Sequence, residues 1–125
     1  EAIEESGKKV VLISSHSLSH RHFVTESALP EDMSREHIYN HSQYVWDMKL
    51  VDLMREGKMR ELIDILPEFT EQTIAETEAG GLTWMMSAMG FPQYSAEIYG
   101  YQSVIGTGNL VAAWDPNAVT REIVL

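Results

Sequence analysis

The sequence predicts an α/β fold: a fragment of a single domain in which a central, mostly parallel sheet is flanked by helices and followed by a carboxyl-terminal β-hairpin. Three observations carry that expectation. Residues 9–14, KVVLIS, form a continuous apolar and β-branched run; residues 34–89 follow helical spacing; and the runs after Pro92 turn β-rich. A strand, a set of helices and then strands is the order expected of an α/β layer structure.

Each element has its own signal. An unbroken apolar run such as KVVLIS reads as a strand buried on both faces, and open sheets place ligands just beyond such strand ends. The Ser- and His-rich residues 15–33 read as a loop in that position. A helix is expected from Ser34 as N-cap, with Glu36 in its first turn, Trp46, Leu50, Leu53 and Met54 as its apolar stripe, and Gly57 as its end. A short helix over KMRELIDIL follows, with Met59, Leu62, Ile63 and Leu66 on one face and Pro67 closing it. Residues 68–89 carry the longest helical pattern, through Ala75, Ala79, Leu82, Met86 and Met89, until GFP stops it. EIYGYQSVI and NLVAAW, joined by GTG, predict an antiparallel hairpin.

Composition narrows the function. The 125 residues suit one domain, and 44% apolar content can bury a modest core. The chain opens on EAIEESGKK, without an initiator Met, a signal peptide or a membrane-spanning stretch, which reads as a soluble fragment, and its lack of cysteine suits a reducing cytoplasm. A formal charge of -10 would repel phosphate backbones and anionic lipid, so neither nucleic acid nor membrane is expected as a partner. The absence of cysteine excludes disulfides, thiolate metal sites and cysteine nucleophiles.

The candidate chemistry lies in SSHSLSHRHF, where His16, His20 and His22 crowd into one loop. They can be read as a metal box, as hydrogen-bonded loop residues, or as one acid/base histidine with two neighbours. A helix would align only His16 with His20, and a strand only His20 with His22. The serines of this segment lack the glycine-rich elbow of a hydrolase and suit capping and loop hydrogen bonds. His37 and His41 stand one helical turn apart but lack the glutamate of an HExxH clamp, and read as surface or supporting residues. In AETEAGGLTW, two consecutive glycines inside a helix cost on the order of 1 kcal/mol each, which something must offset. Glu76, Gly80 and Trp84 would then share one face, with room above the carboxylate for an ion or a ring; close packing on a small Ala/Gly surface is the other reading.

Taken together, VVLISSHSLSH, the acidic stretch running into LTWMMSAMG, and GYQSVIGTGNLVAAW resemble the carboxyl-terminal portion of the class III extradiol ring-cleaving dioxygenases. The resemblance covers nearly the whole chain, and the serine-rich segment and GYQSVIGTGN are most similar to the catalytic β chains of the aminophenol-cleaving branch. Leu18, Ser19 and His20 match the family's small-Ser-His signature.

That resemblance implies residues 1–125 are the carboxyl-terminal part of one catalytic domain whose amino-terminal part lies outside this chain. It implies a non-haem Fe(II) cofactor held by two histidines and one glutamate, with open positions for substrate and O₂. The histidine ligands would come from the amino-terminal complement. His20 would be the acid/base; many members carry the carboxylate ligand where this chain has Gly80, and here it would be Glu76, two turns before Trp84 and at a distance from His20 that suits the aminophenol branch, with Glu78 as competitor. The implied substrate is 2-aminophenol or a substituted form, with catechols as secondary substrates, and the implied assembly is an α2β2 heterotetramer with a related α subunit. A non-catalytic α-type chain, or an unrelated soluble module with a local histidine metal site, are the alternatives.

Overall fold

The structure is a computed structural model that describes residues 1–20, 40–104 and 106–118. Its elements are helices α1 (Ala2–Ser6), α2 (His41–Glu56) and α3 (Met59–Thr73), a 3₁₀ turn (Glu76–Ala79), helix α4 (Gly80–Ala88), and strands β1 (Glu97–Val104) and β2 (Thr107–Ala113). Among the described residues no helix is long and apolar enough to cross a membrane.

Helix α2 starts at its own cap. Asn40 is extended, and its side chain accepts from the Gln43 N–H at 2.8 Å. The expected helix start at Ser34, with Glu36 in its first turn, lies outside the described residues, and the extended Asn40 shows that no single helix runs from there into α2. Gly57, left-handed, ends α2 as expected. The buried face is Gln43, Asp47, Leu50, Val51 and Met54, while Trp46 and Leu53 of the expected stripe are only half-buried.

Pro67 does not close α3, which continues to Thr73. The missing N–H costs one helical hydrogen bond, but Leu62, Leu66, Phe69 and Thr73 keep one buried face running across it. Burying a Leu or Phe side chain contributes about 1.5–3 kcal/mol, enough to carry the helix through a single proline. Leu50 and Met54 from α2, Met59, Leu62 and Phe69 from α3, and Leu82 and Met86 from α4 form the core, with Leu18 added from the early segment.

The long helix expected over residues 68–89 is broken. Ile74 is left-handed, as are Thr77, Glu78 and Ala79 in succession, before α4 begins at Gly80. Glu76, Gly80 and Trp84 therefore do not share a continuous helical face. The hairpin forms as expected, antiparallel, pairing Val104 with Thr107 and Glu97 with Ala113, with a register shift between Ile98 and Gly100.

A central parallel sheet is not among the described elements, whose sheet has the two strands of the hairpin. Residues 9–14 are not a strand and are not buried: Val11 is 84% exposed and Ile13 79%. An apolar run becomes a buried strand only where other strands pair with it and helices cover it, and among the described residues no strand pairs with residues 9–14.

Candidate functional site

The segment from Ser14 to His20 lies between the 3₁₀ turn, α4 and the hairpin. Leu18, buried, plugs it into the core; the Leu18 N–H donates to the Gly108 carbonyl at 2.8 Å, and the Gly108 N–H returns a bond to the Ser19 carbonyl at 3.0 Å. His20 forms an isolated antiparallel bridge with Thr107, and its N–H donates to the Thr73 carbonyl at 3.3 Å. Apolar burial thus sets the depth of the segment, and main-chain bonds set its register against β2.

This placement brings His20 and Glu76 together, with Nε2 3.9 Å from Oε1 and both side chains about one-third exposed, at 31% and 33%. That separation is longer than a direct hydrogen bond. The other carboxylate oxygen is held by Ser17, whose N–H donates at 2.5 Å and whose hydroxyl donates at 2.8 Å. Those two bonds, aided by the nearby His20 and His16, hold the Glu76 carboxyl below the usual carboxylate range. One oxygen is tied down while the other faces an imidazole at a partly open surface, an arrangement suited to a single-carboxylate metal ligand. Among the described residues no group of three or more His, Asp or Glu side chains could hold a metal by itself. Glu78 is exposed on the same turn.

His16 has a different environment. Its Nδ1 lies 3.1 Å from the Ser14 hydroxyl, whose proton goes to the Gly81 carbonyl at 2.8 Å, so Nδ1 must be the donor to the serine oxygen. Burial lowers the His16 pKa, against an opposing pull from Glu76. A Cβ on Gly81 would come within 2.7 Å of His16 Nδ1 and 3.0 Å of the Ser14 oxygen. Close approach is what offsets the glycine penalty there, and the pair stands at the amino-terminal end of α4, not within a longer helix. Trp84 is 54% exposed.

His22 and His37 lie outside the described residues. His41 is exposed at the start of α2 and stacks on Tyr44, ring centres 6.3 Å apart, as a surface histidine. The serines act as hydrogen-bonding residues: Ser14 to Gly81, Ser17 to Glu76 and Ser19 to Asp47.

Sequence reasoning missed Asp47. It is fully buried and accepts from the Ser19 N–H at 3.0 Å, the Ser19 hydroxyl at 2.6 Å and the Tyr101 hydroxyl at 2.5 Å. The available signal was its spacing: Asp47 stands at helical intervals from Leu50, Val51 and Met54, and a charge in the middle of an apolar stripe needs partners.

Residues 1–112 match the family described as the catalytic LigB subunit of aromatic ring-opening dioxygenase. The chain is 50% identical over 115 residues to the 2-aminophenol 1,6-dioxygenase beta subunit of Pseudomonas sp, covering 92% of this chain and 38% of that protein. It is 27% identical over 99 residues to 3,4-dihydroxyphenylacetate 2,3-dioxygenase of Escherichia coli, covering 79% of this chain and 35% of that protein. The chain thus spans little more than a third of the length of either relative. With the family match running through the whole Ser14–His20 segment, Glu76 and nearly all of the hairpin, the chain belongs to the LigB family of aromatic ring-opening dioxygenases.

Proposed function

We propose that this chain forms the carboxyl-terminal part of the catalytic domain of a ring-cleaving dioxygenase that opens 2-aminophenol, or a substituted 2-aminophenol, with O₂ to give a 2-aminomuconic semialdehyde. In this reading Glu76 supplies the carboxylate ligand to a non-haem Fe(II), two histidines come from an amino-terminal complement, and a related α subunit completes an α2β2 assembly. The observation that carries it is the convergence of Glu76 and His20, with Nε2 and Oε1 3.9 Å apart and Ser17 holding the other carboxylate oxygen. The similarity to the Pseudomonas beta subunit supports the substrate class.

When bound, Fe(II) supplies the O₂ chemistry and makes a coordinated hydroxyl more acidic. The chain's own residues supply position and proton handling. Ser17 fixes the Glu76 carboxylate so that one oxygen faces the open side. His20 Nε2, on that side, takes the proton from the substrate hydroxyl and returns one as the ring opens; general acid–base groups of this kind contribute roughly 10²- to 10⁴-fold. The neutral, serine-tethered His16 stays beside the carboxylate as a neighbour.

The test uses the full-length protein with its partner subunit, loaded with Fe(II) under anaerobic conditions. His20→Ala keeps its iron and loses roughly 10²- to 10⁴-fold in turnover of 2-aminophenol. Glu76→Ala loses iron while Glu78→Ala keeps it. A Glu76→Ala variant with full iron content would remove Glu76 from the centre, and a wild-type protein that binds no iron would favour a non-catalytic α-type role.

A further inference from the structure

Asp47 is a carboxylate the proposed chemistry does not use, and its surroundings are expensive to build. Taking a carboxylate out of water costs several kcal/mol, which an apolar side chain in the same place would avoid. Burial pushes the Asp47 carboxyl up despite its hydrogen bonds to Ser19 and Tyr101. Such a group is better explained by orientation than by cohesion.

What it orients is the residue directly before His20. Every polar group of Ser19 is committed: its N–H and hydroxyl donate to Asp47, and both its carbonyl and its hydroxyl oxygen accept from the Gly108 N–H at 3.0 Å. The His20 N–H is fixed in turn on the Thr73 carbonyl. The carboxylate is itself braced by Tyr101 from β1, whose ring packs edge-on against Tyr44 at 5.9 Å. A Cβ at Gly108 would overlap the Asp47 carboxylate and come within 2.5 Å of the Tyr101 hydroxyl, so the site leaves room for these groups alone. Helix α2, both strands of the hairpin and the Ser14–His20 segment meet at this point.

We infer that Asp47 is a positioning residue: braced by Tyr101, it locks Ser19 so that the His20 imidazole is held beside Glu76, and turnover through His20 depends on that lock. The inference rests on the acid/base reading of His20 and deepens it. Asp47 acts through the main chain of its neighbour and does not touch the substrate.

The experiment is a double-mutant cycle in the full-length, Fe(II)-loaded protein with 2-aminophenol as substrate, reading kcat, KM, iron content and Tm for each variant. Asp47→Asn keeps the volume and removes the charge; Tyr101→Phe keeps the packing and removes one hydrogen bond. The expected result is a fall in kcat of roughly 10- to 100-fold for Asp47→Asn and about 3- to 10-fold for Tyr101→Phe, with KM and iron content near wild type. In the His20→Ala background each should cost less than about two-fold more, because a device that acts only through His20 has nothing left to position. Losses that multiply with that of His20→Ala, or a lowered Tm with unchanged kcat, would show Asp47 to be a structural anchor and overturn the inference. If Asp47→Asn does not fold, Tyr101→Phe decides alone, and wild-type kcat there overturns it. Should His20→Ala itself turn over at the wild-type rate, the acid/base reading fails and this inference with it; a slow His20→Ala beside a fully active Tyr101→Phe sinks the inference only.

Discussion

Asp47 and Glu76 both end on the same short segment, and both are held by a serine that donates its N–H and its hydroxyl, yet their acidities move in opposite directions. Asp47 is fully buried, and desolvation outweighs its three hydrogen bonds, so its pKa rises. Glu76 keeps contact with water, and its two bonds from Ser17 decide the sign, so its pKa falls. The same pair of serine donors, joined at Asp47 by the Tyr101 hydroxyl, thus gives a costly internal anchor in one place and a readily ionised, outward-facing group in the other. Burial, not the number of bonds, separates the two roles.

The sharpest way to break this contrast is to crowd the anchor. Gly108→Ala puts a methyl where the Asp47 carboxylate lies, and overpacking of this kind should destabilise the full-length protein by roughly 3 kcal/mol or more. A thermal melt within a degree of wild type would mean the contact relaxes freely. Ser17→Ala probes the exposed partner more gently. It removes one of two bonds to Glu76 and leaves the main-chain donor, costing about 1 kcal/mol once solvent screening is allowed for; with Glu76 as the proposed Fe(II) ligand, iron affinity should fall about 5-fold. Unchanged affinity in a chelator competition would show that the main-chain bond alone presents the carboxylate.

The smallest effect is in pH dependence, where the two groups have opposite signs. Asp47 holds its proton more tightly folded than unfolded, so its ionisation weakens folding from the unfolded pKa of ~3.9 up through its raised folded pKa, and acidification through that window restores stability. Glu76 contributes stability above its unfolded pKa of ~4.3 and loses it as pH falls through the lower folded value. On acidification towards the unfolded pKa of ~3.9 the Tm of wild type should therefore rise relative to Asp47→Asn, whereas Glu76→Gln should track wild type until the pH falls below ~4.3. Parallel Tm curves for Asp47→Asn and wild type would remove the desolvation argument.

The sequence announced these regions unevenly. The hairpin and the end of α2 were legible because Gly57, Gly106 and the β-branched runs act locally. The meeting of His20 with Glu76 was legible only through family resemblance, since no spacing rule joins a loop residue to one more than fifty positions away. The break at residues 74–79 was hidden because Ile74, Thr77, Glu78 and Ala79 adopt left-handed conformations that such residues rarely take, and the glycine pair that follows them stands inside α4 instead of at the break. Pro67 misled in the other direction, as core burial carried α3 past it. KVVLIS has the composition of an inner strand, but composition does not supply neighbours.

The left-handed run after Glu76 has a consequence for how the carboxylate could shift over evolutionary time. On a continuous helix, inserting or deleting one residue before Trp84 would swing an upstream group about 100° around the axis, and only whole-turn changes would keep it in place. A side chain presented by an irregular hinge escapes that restriction. Its aim is set by Ser17 across the gap and not by a helical interval to the aromatic.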